Sequence, residues 1–236
     1  AALKKKYEIE NNPSARRDHR EYFPDMEKID STVCEDVISQ MNAYDYLKYA
    51  AKDVMAALEH ETCTIEDFKA LLSPAAEPFL EKMAQKARTE TSKHFGNTVY
   101  VFTPIYIANY CENYCVYCGF NCYNNINRMK LDMEQIEKEM RIIADSGMEE
   151  ILILTGESRS MSSVEYIGEA CKLAGKYFKM VGLEIYPVNS EEYEYLHKCG
   201  AYYVTVFQET YDIDKYETLH LRGHKRIWQY RFEAQE

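Results

Sequence analysis

The sequence predicts an α/β fold of about four strand-helix units, preceded by an α-helical N-terminal extension. Three observations predict it. The first 95 residues show no strand-like alternation and no glycine, which first appears at Gly96. From residue 133 onward, short apolar runs alternate with capped amphipathic helices. One of those runs, Glu150-Ile-Leu-Ile-Leu154, is apolar almost throughout, as expected of a strand buried on both faces. Strands joined by helices run parallel in a right-handed sheet or barrel, with the chemistry beyond the C-terminal strand ends. The expected division is residues 1–95 for the extension and 96–236 for the α/β part.

In the extension, helices are expected over residues 34–42 and 44–59, the second carrying Tyr46, Tyr49, Val54, Ala57 and Leu58 at helical spacing. Thr64, with Asp67 three residues on, forms a capping box for the next helix. Ser73-Pro74 opens another, which runs toward His94. These helices read as a packing layer without chemistry. Residues 99–107 are rich in aromatic and β-branched types and read as the first strand, although Pro104 bars an ordinary central-strand hydrogen bond. Asp132 caps a helix with Ile136, Met140 and Ile143 on one face, and Gly147 ends it. Ser162-Ser-Val-Glu165 is a capping box for a helix that turns Val164, Ile167, Cys171 and Ala174 inward. Residues 181–186 are the next strand, 190–199 the next helix, and 202–207 the fourth strand.

Composition narrows the function. The 236 residues include 28 Lys and Arg against 39 Asp and Glu, a net charge of −11. No positive cluster is denser than Lys4-Lys5-Lys6, which reads as a solvated tail, so a nucleic-acid partner is not expected. A membrane span is not expected either, since no run approaches ~20 apolar residues. Eight cysteines without a secretory leader at the start point to the cytosol, where clustered thiols serve metals or catalysis. Cys34, Cys63, Cys171 and Cys199 are isolated on predicted helices and read as small buried apolar residues.

The other four cysteines are close together in Cys111-Glu-Asn-Tyr-Cys115-Val-Tyr-Cys118-Gly-Phe-Asn-Cys122. Thiolates suit iron-sulfur clusters or zinc, and three on one loop can wrap one face of a cubane, leaving its fourth iron open. Two alternatives stay open. A ferredoxin-type run would need two residues rather than three before Cys115, and a proline where Tyr123 stands. A zinc site from all four cysteines would be crowded for tetrahedral geometry and lacks paired knuckles.

Cys-x3-Cys-x2-Cys directly after a first strand, with Tyr117 before the last cysteine, resembles the radical S-adenosylmethionine superfamily. Further words narrow the resemblance: Leu71-Leu-Ser-Pro-Ala-Ala-Glu77, Phe102-Thr-Pro-Ile-Tyr106, Leu154-Thr-Gly-Glu157, Phe207-Gln-Glu-Thr-Tyr211 and His220-Leu-Arg-Gly-His-Lys225. Together they resemble the 2-iminoacetate synthases, the tyrosine lyases of thiamine biosynthesis. The tyrosine lyases that mature iron-only hydrogenase share the Gln-Glu-Thr-Tyr stretch and are the first alternative. Those would add a second cluster in a C-terminal domain. An iron-sulfur-binding fragment without turnover is the second.

The resemblance implies a partial (β/α) radical-SAM TIM-type barrel, with a 4Fe-4S cluster held by Cys111, Cys115 and Cys118. It implies S-adenosyl-L-methionine chelated to the open iron and cleaved by one electron to a 5′-deoxyadenosyl radical. Hydrogen abstraction from the amino group of L-tyrosine would then break the Cα–Cβ bond, giving 2-iminoacetate (dehydroglycine) and p-cresol. On this reading Tyr117, Gly156, Glu157 and Glu184 serve the cofactor, with Gly156 giving backbone approach and Glu157 a carboxylate for the methionyl ammonium. The other reading of Gly156-Glu157 is a turn and a helix-start charge, and that of Glu184 a strand residue turned to solvent. Gln208, Glu209, Tyr211 and Arg222 are the candidate catalytic and substrate-binding residues, and Arg222 can pair with a carboxylate bidentately. His220 also matches the family. Asp212 stands where the hydrogenase-maturing relatives carry a histidine, so no proton-transfer role is carried over to it. Implied partners are a reduced electron donor such as flavodoxin or ferredoxin, and thiazole synthase. A whole (β/α)8 barrel takes ~200 residues or more. With the extension subtracted, the chain is expected to be the N-terminal part of a longer cytoplasmic enzyme.

Overall fold

The computed structural model describes Lys4, Lys5, Glu8, Ile9, Asn12 and residues 20–236; Lys6 of the lysine run lies outside them. The chain divides into two compact units, residues 32–100, and residues 101–236 together with the segment up to Ser31.

The first unit is helical. α1 spans Val33–Asn42, α2 Ala51–Glu59, α3 Ile65–Leu71 and α4 Leu80–Phe95. α2 starts seven residues later than its periodicity predicts. Asp45 Oδ1 accepts from Leu47 N (3.0 Å) and bends the chain, and Asp53 Oδ2 then accepts from Ala50 N (2.9 Å) at the true start. α3 begins as expected, with Thr64 Oγ1 accepting from Asp67 N at 3.1 Å and the Asp67 carboxylate accepting from Thr64 N at 2.9 Å. Residues Pro74–Phe79 form a 3-10 segment, because Pro78 has no N–H to continue an α-helix, and α4 follows it. Cys63 is exposed in the connection before Thr64, contrary to the buried helical position expected for it.

The second unit holds four parallel strands, β1 Phe102–Ala108, β3 Glu150–Thr155, β4 Met180–Glu184 and β5 Tyr203–Thr205, in the order β1-β3-β4-β5. Each strand lies beside its predecessor. With right-handed crossovers that order places the connecting helices on one side, the winding of a partial TIM-type barrel rather than a doubly wound sheet. Pro104 keeps its register opposite Leu152 because β1 is an edge strand of the described sheet. Residues 99–101, expected in this strand, lie before it and are exposed.

The connecting helices are α5 Met133–Asp145, α6 Val164–Ala174 and α7 Ser190–Lys198. Asp132 Oδ1 caps α5 by accepting from Gln135 N (2.8 Å), and Gly147 leaves it at a φ of 90°. α6 is capped by Ser163 rather than Ser162, whose hydroxyl instead donates to the Gly156 carbonyl (3.2 Å). Ile153 and Leu183 from the strands meet Ile136, Met140 and Ile167 from the helices in one buried core. β4 and β5 are shorter than predicted, and Ile185 and Tyr186 continue from β4 as a buried connection.

Beyond β5 come α8 Ile213–Leu219, β6 His220–Arg222 and α9 Trp228–Glu233. β6 pairs antiparallel with the two-residue strand β2, Tyr114–Cys115, inside the cysteine segment. The segment from residue 20 to 31 lies against the same unit. Tyr22 donates to Glu233 Oε2 (3.0 Å), and Glu27 N donates to Asn189 Oδ1 (3.0 Å).

Ile153 is fully buried between sheet and helices, so Ile153→Ala is expected to lower the stability of this unit by about 2–5 kcal/mol in chemical denaturation.

Candidate functional site

The cysteine segment leaves the C-terminal end of β1 and is tied down on three sides. β2 pairs with β6, Cys118 N donates to the Cys115 carbonyl (3.2 Å), and Arg128 donates to the carbonyls of Asn109 (2.7 Å), Phe120 (2.9 Å) and Asn121 (2.7 Å). Asn113, within the segment, is buried. Its Nδ2 donates to Glu157 Oε2 (2.6 Å), and its Oδ1 accepts from Lys225 N (3.0 Å). The side chain of one residue inside the cysteine motif thus fixes the segments that follow β3 and β6.

Cys111, Cys115 and Cys118 line one cavity of about 210 Å3 at the C-terminal ends of the strands. Gly156, Glu157, Glu184 and Glu209 line it as well, and Tyr186 and Phe207 are among its apolar walls. Cys122 does not line it; with Cys111 it borders a separate groove on the same segment. The Glu157 carboxylate is buried, and its Oε2 also accepts from Arg231 Nη2 (3.1 Å). Glu209 Oε1 accepts from Lys225 Nζ (2.6 Å). Thr155 Oγ1 faces this region buried and without a hydrogen-bond partner among the described residues, an acceptor and donor left for a polar ligand.

Burial sets the electrostatics. It pushes the Cys115 thiol up to about 12 and holds the Cys111 thiol above its ordinary value. Burial also raises the Glu184 carboxyl, helped by the neighbouring Glu209 charge. Burial alone would raise Glu209, but the bond to Lys225 and its charge, with smaller contributions from Tyr117 and His220, together hold it low. His220, buried, is pushed down to about 4 and stays neutral; its Nδ1 donates to the Tyr216 carbonyl (2.9 Å) and its Nε2 accepts from the Tyr117 hydroxyl (2.7 Å).

The model of the radical SAM superfamily matches residues 105–235, more than half of the chain. The chain belongs to the radical SAM superfamily. It is 38% identical over 184 residues to the 2-iminoacetate synthase of Escherichia coli strain K12, a match spanning 78% of this chain and 49% of that protein. It is 32% identical over 158 residues to the 3-methylornithine synthase of Methanosarcina acetivorans, spanning 65% of this chain and 45% of that protein. Among solved structures, HydG, a maturase of the FeFe-hydrogenase, superposes with a TM-score of 0.79 at 28% identity, covering 87% of this chain and 47% of that one. The chain therefore spans about half the length of the curated relatives it matches.

Radical SAM proteins use a 4Fe-4S cluster and S-adenosyl-L-methionine, and the residues present fit that pair. Three thiols open on one cavity with an unpartnered hydroxyl and acidic side chains beside them. Cys111, Cys115 and Cys118 would hold such a cluster as thiolates.

Not every expected site residue reaches the cavity. Tyr117 is half exposed and directed to His220. Gln208 is buried, its Nε2 donating to the Trp228 carbonyl (3.3 Å). Tyr211 is exposed and packs edge-on against Phe232, and Arg222 donates to the Tyr123 hydroxyl (2.8 Å) beside the outer groove. Asn113, Lys225 and Arg231 line the cavity as well. In the sequence Lys225 stands out only as the last residue of His220-Leu-Arg-Gly-His-Lys225, and nothing in the spacing of Asn113 or Arg231 marks them.

Anaerobic reconstitution is expected to give 4Fe-4S absorption that is lost in Cys111→Ala, Cys115→Ala and Cys118→Ala and kept in Cys122→Ala. Loss in Cys122→Ala would contradict a three-cysteine site.

Proposed function

We propose that this chain carries the cluster- and cofactor-binding part of a cytoplasmic radical SAM lyase that cleaves the Cα–Cβ bond of L-tyrosine. The products are 2-iminoacetate, for the thiazole of thiamine, and p-cresol. The observation that carries the reading is the convergence of Cys111, Cys115, Cys118, Glu157 and Glu184 on one cavity in a chain 38% identical to a 2-iminoacetate synthase. When bound, the cluster and S-adenosyl-L-methionine supply one-electron cleavage and hydrogen abstraction.

The protein's share is binding, orientation and exclusion of water. Cys111, Cys115 and Cys118 hold the cluster, and the Glu157 carboxylate, fixed through one oxygen by Asn113 and Arg231, accepts from the cofactor's ammonium. Gly156 keeps the backbone close to the cysteine segment. Glu184 and Glu209, which line the same cavity, take hydroxyl or ammonium groups of cofactor or substrate. Ile185, Tyr186 and Phe207 close the wall with apolar surface, which keeps quenching water out. A reduced flavodoxin or ferredoxin supplies the electron, and thiazole synthase takes the unstable imine.

The TM-score of 0.79 with HydG favours a second reading, the tyrosine lyase of hydrogenase maturation. A second iron-sulfur cluster in the full-length protein would mark that one. Incubating the full-length protein anaerobically with dithionite, S-adenosyl-L-methionine and tyrosine is expected to release p-cresol, measured by chromatography. Cofactor cleavage that depends on a different amino acid would overturn the substrate.

A further inference from the structure

Lys225 is held in place from three directions. Its backbone N–H donates to Asn113 Oδ1 (3.0 Å), its carbonyl accepts from the Tyr216 hydroxyl, and its Nζ donates to Glu209 Oε1 (2.6 Å). Its side chain is only 16% exposed. Glu209 reaches it from a tight turn. Thr210 N donates to the Gln208 carbonyl (2.9 Å), and Glu209 is the one non-glycine residue with positive φ, 70°, among the described residues. Such backbone strain persists only where the surroundings hold it. Here the ion pair with Lys225 is what the strained position makes.

The cavity wall around this pair is short of positive charge. Glu157, Glu184 and Glu209 face it together with three cysteines, against two cations, Lys225 and Arg231, among the described lining residues. Arg231 is buried and paired with Glu157. An electron entering a cluster held by these three cysteines would add negative charge to this wall, and nearby cations would favour that step. Lys225 lines the same cavity as Cys111, Cys115 and Cys118, and its backbone is bonded to Asn113, two residues before Cys115, so its charge stands within electrostatic reach of the cysteine segment.

We propose that Lys225 is a positioning residue for electron entry: its ammonium, held by Glu209 while Asn113 fixes its backbone beside the cysteine segment, raises the reduction potential of the cluster. Glu209 works against it, so the pair sets the potential by balance. The inference rests on the three-cysteine cluster site and not on tyrosine as substrate.

Redox titration of the anaerobically reconstituted full-length protein, followed by electron paramagnetic resonance without substrate, tests it. Lys225→Met is expected to move the midpoint to a more negative potential, and Lys225→Arg to leave it near wild type. Glu209→Gln alone is expected to move it to a more positive potential, and Lys225→Met with Glu209→Gln to return it toward wild type. A wild-type midpoint in Lys225→Met, or a double variant as negative as Lys225→Met, overturns the proposal. If Lys225→Met takes up no cluster, Glu209→Gln decides: a midpoint that is unchanged or more negative overturns it. Absence of p-cresol with these shifts intact would count against the substrate alone.

Discussion

The Tyr110 carbonyl leaves no room for a side chain at position 156. A Cβ there would lie 2.2 Å from Tyr110 O and 2.8 Å from its carbonyl carbon. Both are backbone atoms, which cannot rotate aside as a flexible side chain can. The contact is held on either side by Gly156 N donating to the Ala108 carbonyl and Glu112 N donating to the Glu157 carbonyl, each at 2.9 Å. The chain leaving β1 and the chain leaving β3 are thus laced together one residue before Cys111. Where the cysteines can stand follows from that lacing, and so does the position of Glu157.

A second layer of constraint is polar. Asn113 joins Glu157 to the backbone of Lys225, and Gly223, at a φ of 88°, lets the loop after β6 close on it; a Cβ there would sit 2.1 Å from Asn113 Oδ1. The Glu157–Arg231 pair is buried, and an ion pair taken out of water is held mainly by the cost of breaking it, about 3–5 kcal/mol when one partner is lost. The cavity is therefore shaped by groups that cannot be exchanged singly. Its apolar wall comes from the buried run after β4, an extension of the same core that seats the strands.

Much of this was legible in the sequence, for physical reasons. β3 shows as an unbroken apolar run because both its faces are covered, and α5 shows through Asp132 and the Ile136–Met140 face. The cysteine segment shows because three soft ligands at that spacing have few uses. Other features leave no such trace. β2 and β6 span two and three residues, too short for any period, yet their pairing anchors the cysteine segment. The late start of α2 reflects Asp45 competing for the backbone, which apolar spacing does not register. Gln208 and Tyr211 follow β5 in a stretch whose turn at Glu209 breaks simple strand alternation, so one is buried under Trp228 and the other packs outside on Phe232. Arg231 lies 74 positions from Glu157 and meets it only through the fold.

The claim on which the rest depends is that the lacing at Gly156 places the cluster ligands. The direct measurement is the iron content and 4Fe-4S absorption of Gly156→Ala after anaerobic reconstitution of the full-length protein, with far-ultraviolet circular dichroism as the check on folding. Retained helix content with cluster loading well below wild type is expected. Wild-type loading together with a wild-type thermal midpoint would contradict it.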